Sequence, residues 1–205
     1  MNEYPEIIPV FPLSGVIYFP KTNLPLNIFE ERYLNLVNEA YKKNKFMGMV
    51  QLKKIDNSVY QVGCLGKIND YQKNKDGRIL INLTGVIRFE ILDEIKNEKL
   101  FREFRVSYNK FKKDLSSSLT KITYDNLIDK AKIFFRRSGL LLNWKEFEKL
   151  DHIQKINTLA MISPVTNEEK QKLVEAVTLE EKIKTLEDII NFYLHEVNFE
   201  NRTIQ

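Results

Sequence analysis

Between Arg78 and Ile91 the chain alternates cleanly: Ile79, Ile81, Leu83, Ile87, Phe89 and Ile91 share one parity, while Arg78, Asn82, Thr84, Arg88 and Glu90 occupy the other. Successive side chains of a strand point to opposite faces, so the pattern predicts one long β-strand with a buried and a solvated side. Gly85 interrupts without shifting the parity, which predicts a bend. Upstream, Phe46 to Leu52 reads as a short apolar strand. Val59 to Tyr71 reads as another, in which Gly63 and Gly66 mark a bulge or a close backbone approach. Asp76-Gly77 supplies the positive-φ positions of a tight hairpin between this strand and the long one. After a charged turn from Asp93 to Lys99, Leu100, Phe104, Val106 and Tyr108 alternate with polar neighbours as a last strand.

The first forty residues follow a different rule. Pro5, Pro9, Pro12, Pro20 and Pro25 break an apolar segment, each fixing φ and removing a backbone donor. Ile7 to Leu13 is therefore predicted as an edge strand, followed by a stiff loop through Phe19-Pro20 and Leu24-Pro25. The period then becomes helical, with Phe29, Tyr33, Leu36, Val37, Ala40 and Tyr41 on one apolar face. Asn27 is the expected cap, with Glu30 reaching back to it, and Lys42, Lys43 and Lys45 suit the negative end of the helix dipole.

From Lys112 the composition turns polar, and beyond it only helical periods remain. Ser116 to Ser118 can cap a helix carrying Leu119, Ile122, Leu127, Ala131 and Phe134. Asn143, with Glu146, opens another with Trp144, Phe147, Leu150, Ile153 and Ile156 inward, closed by Pro164. Thr166 with Glu169 and Thr178 with Glu181 are two capping boxes, the second opening a long helix with Ile183, Leu186, Ile190, Tyr193 and Val197 as its stripe. The expected class is α+β: a small, mostly antiparallel barrel or sandwich with one helix over residues 1–112, then an α-helical bundle over 113–205 packed on it.

Several blocks carry a family resemblance. Pro9-Val10-Phe11-Pro12-Leu13, Phe19-Pro20 and Pro25-Leu26-x-Ile28-Phe29-Glu30-x-Arg32-Tyr33 come first. Val62-Gly63-Cys64-Leu65-Gly66-x-Ile68, Asp76-Gly77-Arg78, Gly85-x-x-Arg88-Phe89 and Glu169-Lys170-Gln171-x-Leu173-x-Glu175 follow in order. Together they resemble the amino-terminal, substrate-binding domain of Lon protease across nearly the whole chain. The resemblance implies a PUA-like pseudobarrel and a polypeptide-binding role without the motor and peptidase of a complete Lon protease. Among the signature residues Pro12, Pro20, Phe29, Glu30, Arg32, Tyr33, Gly63, Gly66, Asp76, Gly77, Arg78, Gly85, Arg88 and Phe89 are expected to be structural.

Composition changes little in this picture. The chain has 205 residues, 43% hydrophobic and 29% charged, and a net charge of +4 spread among nearly as many acids, which falls short of a nucleic-acid footprint. No apolar run approaches the roughly 18 residues that span a bilayer, and no leader pattern opens the chain, so cytoplasmic residence without a membrane partner is expected. Cys64 is the only cysteine, which excludes an intrachain disulfide.

Candidate chemistry is sparse. No glycine opens a G-x-x-x-x-G-K-[ST] phosphate cradle, since Gly66-Lys67 is followed by Ile68, and no serine has a recognisable lysine or histidine partner. His152 and His195 lie on separate predicted helices without a third ligand at metal spacing. The expectation is no enzymatic activity, no catalytic residue, no metal and no cofactor. What remains is the stiff loop, where Tyr18, Phe19, Leu24, Leu26 and Ile28 sit among few charges. These side chains either form an exposed apolar patch for unfolded or apolar polypeptide segments, or plug one end of the barrel. A protease or chaperone is a further candidate partner; RNA binding is the alternative for a PUA-like module, and a peptidase or hydrolase, on the family label only, is the remote one.

Overall fold

The computed structural model describes residues 4–53, 56, 58–115 and 124–200, of which residue 125 and residues 196–200 are described by backbone alone. The chain forms two compact units, Met1–Ser116 and Ser117–Gln205.

The first unit contains strands β1 (Ile7–Pro12), β2 (Asn23–Ile28), β3 (Phe46–Val50), β4 (Val62–Lys73), β5 (Ile79–Ile95) and β6 (Arg102–Ser107), with helix α1 (Glu31–Lys42) between β2 and β3. They form one mixed sheet in the order β2-β5-β4-β3-β1-β6, and β5 also pairs with β6. The pairing thus closes five strands into a ring and leaves β2 outside it. The hub is β5. Its first half, Ile79 to Thr84, pairs with β2, and its last residues, Glu90 to Ile95, pair with β6. Its alternating residues Ile79, Ile81, Leu83, Ile87, Phe89 and Ile91 are all buried, as their parity predicts, each contributing about 1.5–3 kcal/mol on transfer from water. The strand runs to Ile95, past the turn expected from Asp93 onward. Leu100, expected to face inward, is exposed, and its neighbour Phe101 is buried instead.

Two expectations about the proline-rich start are overturned. β1 is not an edge: it pairs parallel with β3 and antiparallel with β6. The Leu13 amide donates to the Val50 carbonyl, so by alternation the nitrogens of residues 9, 11 and 13 face β3, and those of 8, 10 and 12 face β6. Pro9 precedes the first β3 partner and Pro12 lies beyond the last β6 partner, so neither removes a ladder bond. The edge strand is β2, where a loop was expected. There Gly85 donates to the Thr22 carbonyl, which turns the main-chain groups of Leu24, Leu26 and Ile28 toward β5 and those of Asn23, Pro25 and Asn27 outward. Pro25 therefore lacks a donor only on the free side, where nothing needs one.

This strand also displaces the helix start. Asn27 pairs with Leu80 and cannot cap; α1 begins at Glu31 with Glu30 at the N-cap position, making no side-chain cap bond. Phe29, expected on the inward helix face, precedes the helix and is 66% exposed. Of the rest of the stripe, Tyr33, Leu36, Val37 and Ala40 are buried and Tyr41 is half-buried, and α1 packs on β1 and β3.

The second unit contains α2 (Asp125–Arg137), α3 (Trp144–Glu148), α4 (His152–Ile162), α5 (Asn167–Glu175) and α6 (Leu179–Glu200). The single helix expected after Asn143 is two, because Asp151 and Gln154 form a capping box that restarts the chain as α4. Both threonine boxes form: Thr166 with Glu169, and Thr178 with Glu181, each a reciprocal pair of side-chain and backbone bonds. α6 packs on α2, α4 and α5 through Ile183, Leu186 and Ile190. The caps expected at Ser116 to Ser118, the residues Leu119 and Ile122, and the side chain of Val197 lie outside the described part.

Candidate functional site

The segment from Tyr18 to Thr22 is fixed before any partner arrives. The Thr22 hydroxyl accepts the Phe19 amide at 3.2 Å and donates to the Phe19 carbonyl at 2.7 Å. Lys21, at φ 65°, donates its amide to the Gly85 carbonyl, and Gly85 donates back to Thr22. A Cβ on Gly85 would stand 2.0 Å from the Phe19 carbonyl oxygen, so only glycine admits this crossing. The Tyr18 hydroxyl fills the space beside Gly66, where a Cβ would lie 1.9 Å from it. Burial and the adjacent Cys64 hold the Tyr18 phenol well above the ordinary tyrosine value, so it stays neutral.

Of the five candidate contact residues, Tyr18, Phe19 and Ile28 are buried, and only Leu24 and Leu26 are partly open. Burial removes the first three from a contact surface; they set the position of β2. Leu24 and Leu26 share the sheet face of their partners Leu83 and Ile81. Phe29, three residues past Leu26 and beyond the end of β2, is a strongly exposed aromatic that the sequence reading placed inside. The alternation of N-L-P-L-N-I carried the signal: it is a strand pattern, and it leaves Phe29 on the opposite parity. Beyond it, Arg32 pairs with Glu30 at 2.8 Å and lies 4.4 Å over the Tyr33 ring, and Tyr33 packs edge-on against Phe11.

The other signature residues lie within the sheet and its turns. Pro12 ends β1 and Pro20 sits in the Phe19–Thr22 turn. Gly63 lies against the Met49 carbonyl and the Phe89 ring. In the β4–β5 hairpin, Gly77 has φ 88°, and the Asp76 carboxylate accepts the Arg78 amide and pairs with its guanidinium at 3.1 Å. Arg88 is the one buried residue on the polar parity of β5. Its guanidinium grips Asp114 at 2.7 Å and stacks 4.4 Å from the Phe111 ring.

Among the described residues no group of three or more His, Cys, Asp or Glu could hold a metal ion, and no helix is long and apolar enough to cross a membrane. His152 accepts from or donates to the Tyr124 hydroxyl through Nδ1, while His195 is exposed.

Residues 7–191 match the model of the ATP-dependent protease La (LON) substrate-binding domain. The chain belongs to this Lon substrate-binding domain family. Its fold is shared by a Lon N-terminal domain protein from Xanthomonas campestris, at a TM-score of 0.64 and 20% identity over 90% of this chain and 97% of that one. It is likewise shared by the N-terminal domain of Mycobacterium avium complex Lon protease, at 0.63 and 16% over 90% and 98%. Relatives in sequence include the Lon protease of Syntrophus aciditrophicus, 25% identical over 93% of this chain, and that of Bacillus thuringiensis, 23% identical over 93%. The chain spans about a quarter of the length of these curated relatives, 25% in both cases. As a Lon-type substrate-binding domain it is α+β, with the mixed sheet and the helices described above.

Proposed function

We propose that this chain is a non-catalytic recognition module that engages unfolded or apolar polypeptide segments in the cytoplasm, without a cofactor, and serves a protease or chaperone partner. The observation that carries this reading is the substrate-binding family match over residues 7–191. Local geometry adds a contact surface: Leu24 and Leu26 are partly open on the edge strand and Phe29 is exposed beyond it. Ahead of β2 the Phe19–Thr22 turn is stapled to Gly85, so the entry to the strand is preorganised and little ordering entropy is lost on binding. The five-strand ring and the helices of the second unit support the finer reading of a PUA-like pseudobarrel followed by an α-helical bundle. RNA binding is disfavoured, because the net charge is only +4, with the basic residues spread among nearly as many acids.

The test is fluorescence anisotropy with a labelled, reduced and unfolded model protein at low and high salt, the folded form serving as control. Binding to the unfolded form alone, insensitive to salt, is expected. Phe29→Ser combined with Leu24→Ser is expected to weaken it by about tenfold or more, the equivalent of about 1.4 kcal/mol. No binding at either salt, or binding untouched by the double variant, overturns the reading.

A further inference from the structure

A second concavity lies in the first unit, away from β2. It encloses about 540 Å³ between the start of the chain, β5, β6 and the 3-10 turns of Asn109–Leu115. That volume suits one or two inserted side chains and falls within the range of ligand pockets. Leu92 and Leu115 both line it and are 58% and 46% exposed.

Leu92 is there because of a local irregularity. Ile91 pairs with Val106 and Asp93 with Arg105, so Leu92 is the extra residue of a β-bulge, the device that re-aims one side chain out of a ladder. The walls are rigid. The Tyr108 hydroxyl donates to the Pro5 carbonyl at 2.7 Å, and the buried Arg88–Asp114 pair holds the 3-10 turns against β5.

The charge of the lining is also specific. Glu6 is its one acid, against Arg105 and Lys112. Arg105 touches Asp93 through a single 3.2 Å contact with both side chains about half exposed, 48% and 53%. Such a surface pair is worth little and exchanges readily for a ligand carboxylate.

We propose that this concavity is a docking site for a linear segment of a partner protein, which inserts an aromatic or aliphatic side chain against Leu92 and Leu115 and sets a flanking Asp or Glu on Lys112 and Arg105. The site is separate from the edge-strand surface and differs in chemistry, since it takes a short acidic motif and not any unfolded chain.

The probe is a fluorescein-labelled peptide with a central Phe-Leu pair flanked by two Asp on each side, titrated with the full chain. A version with Lys in place of Asp and a version with Ser in place of Phe-Leu are the controls. Saturable binding of the acidic apolar peptide, weakened by salt, is expected, with neither control binding. Lys112→Glu, at an exposed position, is expected to weaken binding about fivefold, and Leu92→Ser about tenfold. Equal binding of the Lys version, no binding of the acidic peptide, or affinity unchanged in Lys112→Glu overturns the proposal. Because the Phe29→Ser and Leu24→Ser double variant leaves this site intact, it should bind the acidic peptide normally, which separates failure here from failure of the unfolded-client reading.

Discussion

Replacing Asp114 by alanine removes the partner of the most deeply buried charge in the first unit. Arg88 is 2% exposed and Asp114 10%. The carboxylate accepts the Arg88 Nε–H at 2.9 Å, its Nη2–H at 2.7 Å and its backbone amide at 3.0 Å. Without it a guanidinium stays in the interior stacked on the Phe111 ring but without its carboxylate, and breaking such a pair from one side costs about 3–5 kcal/mol. For an m-value of about 2 kcal/mol per M, the urea midpoint falls by about 2 M. Arg88→Met keeps much of the volume and leaves the Asp114 carboxylate, 10% exposed, in place of a buried guanidinium, so it should be destabilising but by less than Asp114→Ala. Adding Arg88→Met to Asp114→Ala should then restore stability relative to Asp114→Ala alone. The assay is urea unfolding of all four proteins by far-ultraviolet circular dichroism, with hydrogen exchange of β5 to localise the change. Trp144, the only tryptophan, reports the second unit and is expected to unfold as before. A midpoint shift under about 0.5 M for Asp114→Ala, or single-variant effects that simply add in the double, would refute the account of a paired buried charge.

Three further outcomes follow from the same geometry. Gly85→Ala drives a Cβ into the Phe19 carbonyl, whose turn cannot retreat, and is expected to destabilise by about 3 kcal/mol or more in thermal melts; a neutral result would mean the crossing is loose. Thr178→Ala removes the acceptor of the Glu181 amide and should cost about 1 kcal/mol, read by Trp144 fluorescence in urea, whereas Thr178→Ser should cost far less. Hydrogen bonds from Lys43 and Lys99 lower the Glu39 carboxyl, and one from Arg102 lowers Glu94. Their folded values thus lie below those of the unfolded chain, and their contribution is complete above the ordinary value of about 4.3 and lost as pH falls through the depressed ones. Both groups are largely solvated, so the effect is small and screened by salt; urea midpoints taken downward from pH 7 should decline less in a Glu39→Gln, Glu94→Gln double variant than in the parent.

Local rules carried much of this protein. The strict alternation of β5, the Asp76-Gly77 hairpin and the threonine capping boxes are satisfied by residues within a few positions of one another, so the sequence alone determined them. It also determined the family, through blocks whose glycines and prolines answer to fixed backbone geometry. The tertiary structure decided what depends on distant partners. Proline marked an edge strand, but which strand is the edge depends on where each missing amide points, and that is set by β3, β5 and β6. Leu24, Leu26 and Phe29 were legible as apolar but not as open, because exposure is decided by β5 and by a helix starting three residues later than its cap signal suggested. The burial of Arg88 and the bulge at Leu92 were equally hidden: each rests on a register or a carboxylate supplied from 12 to 26 positions along the chain, a separation that local periodicity does not encode.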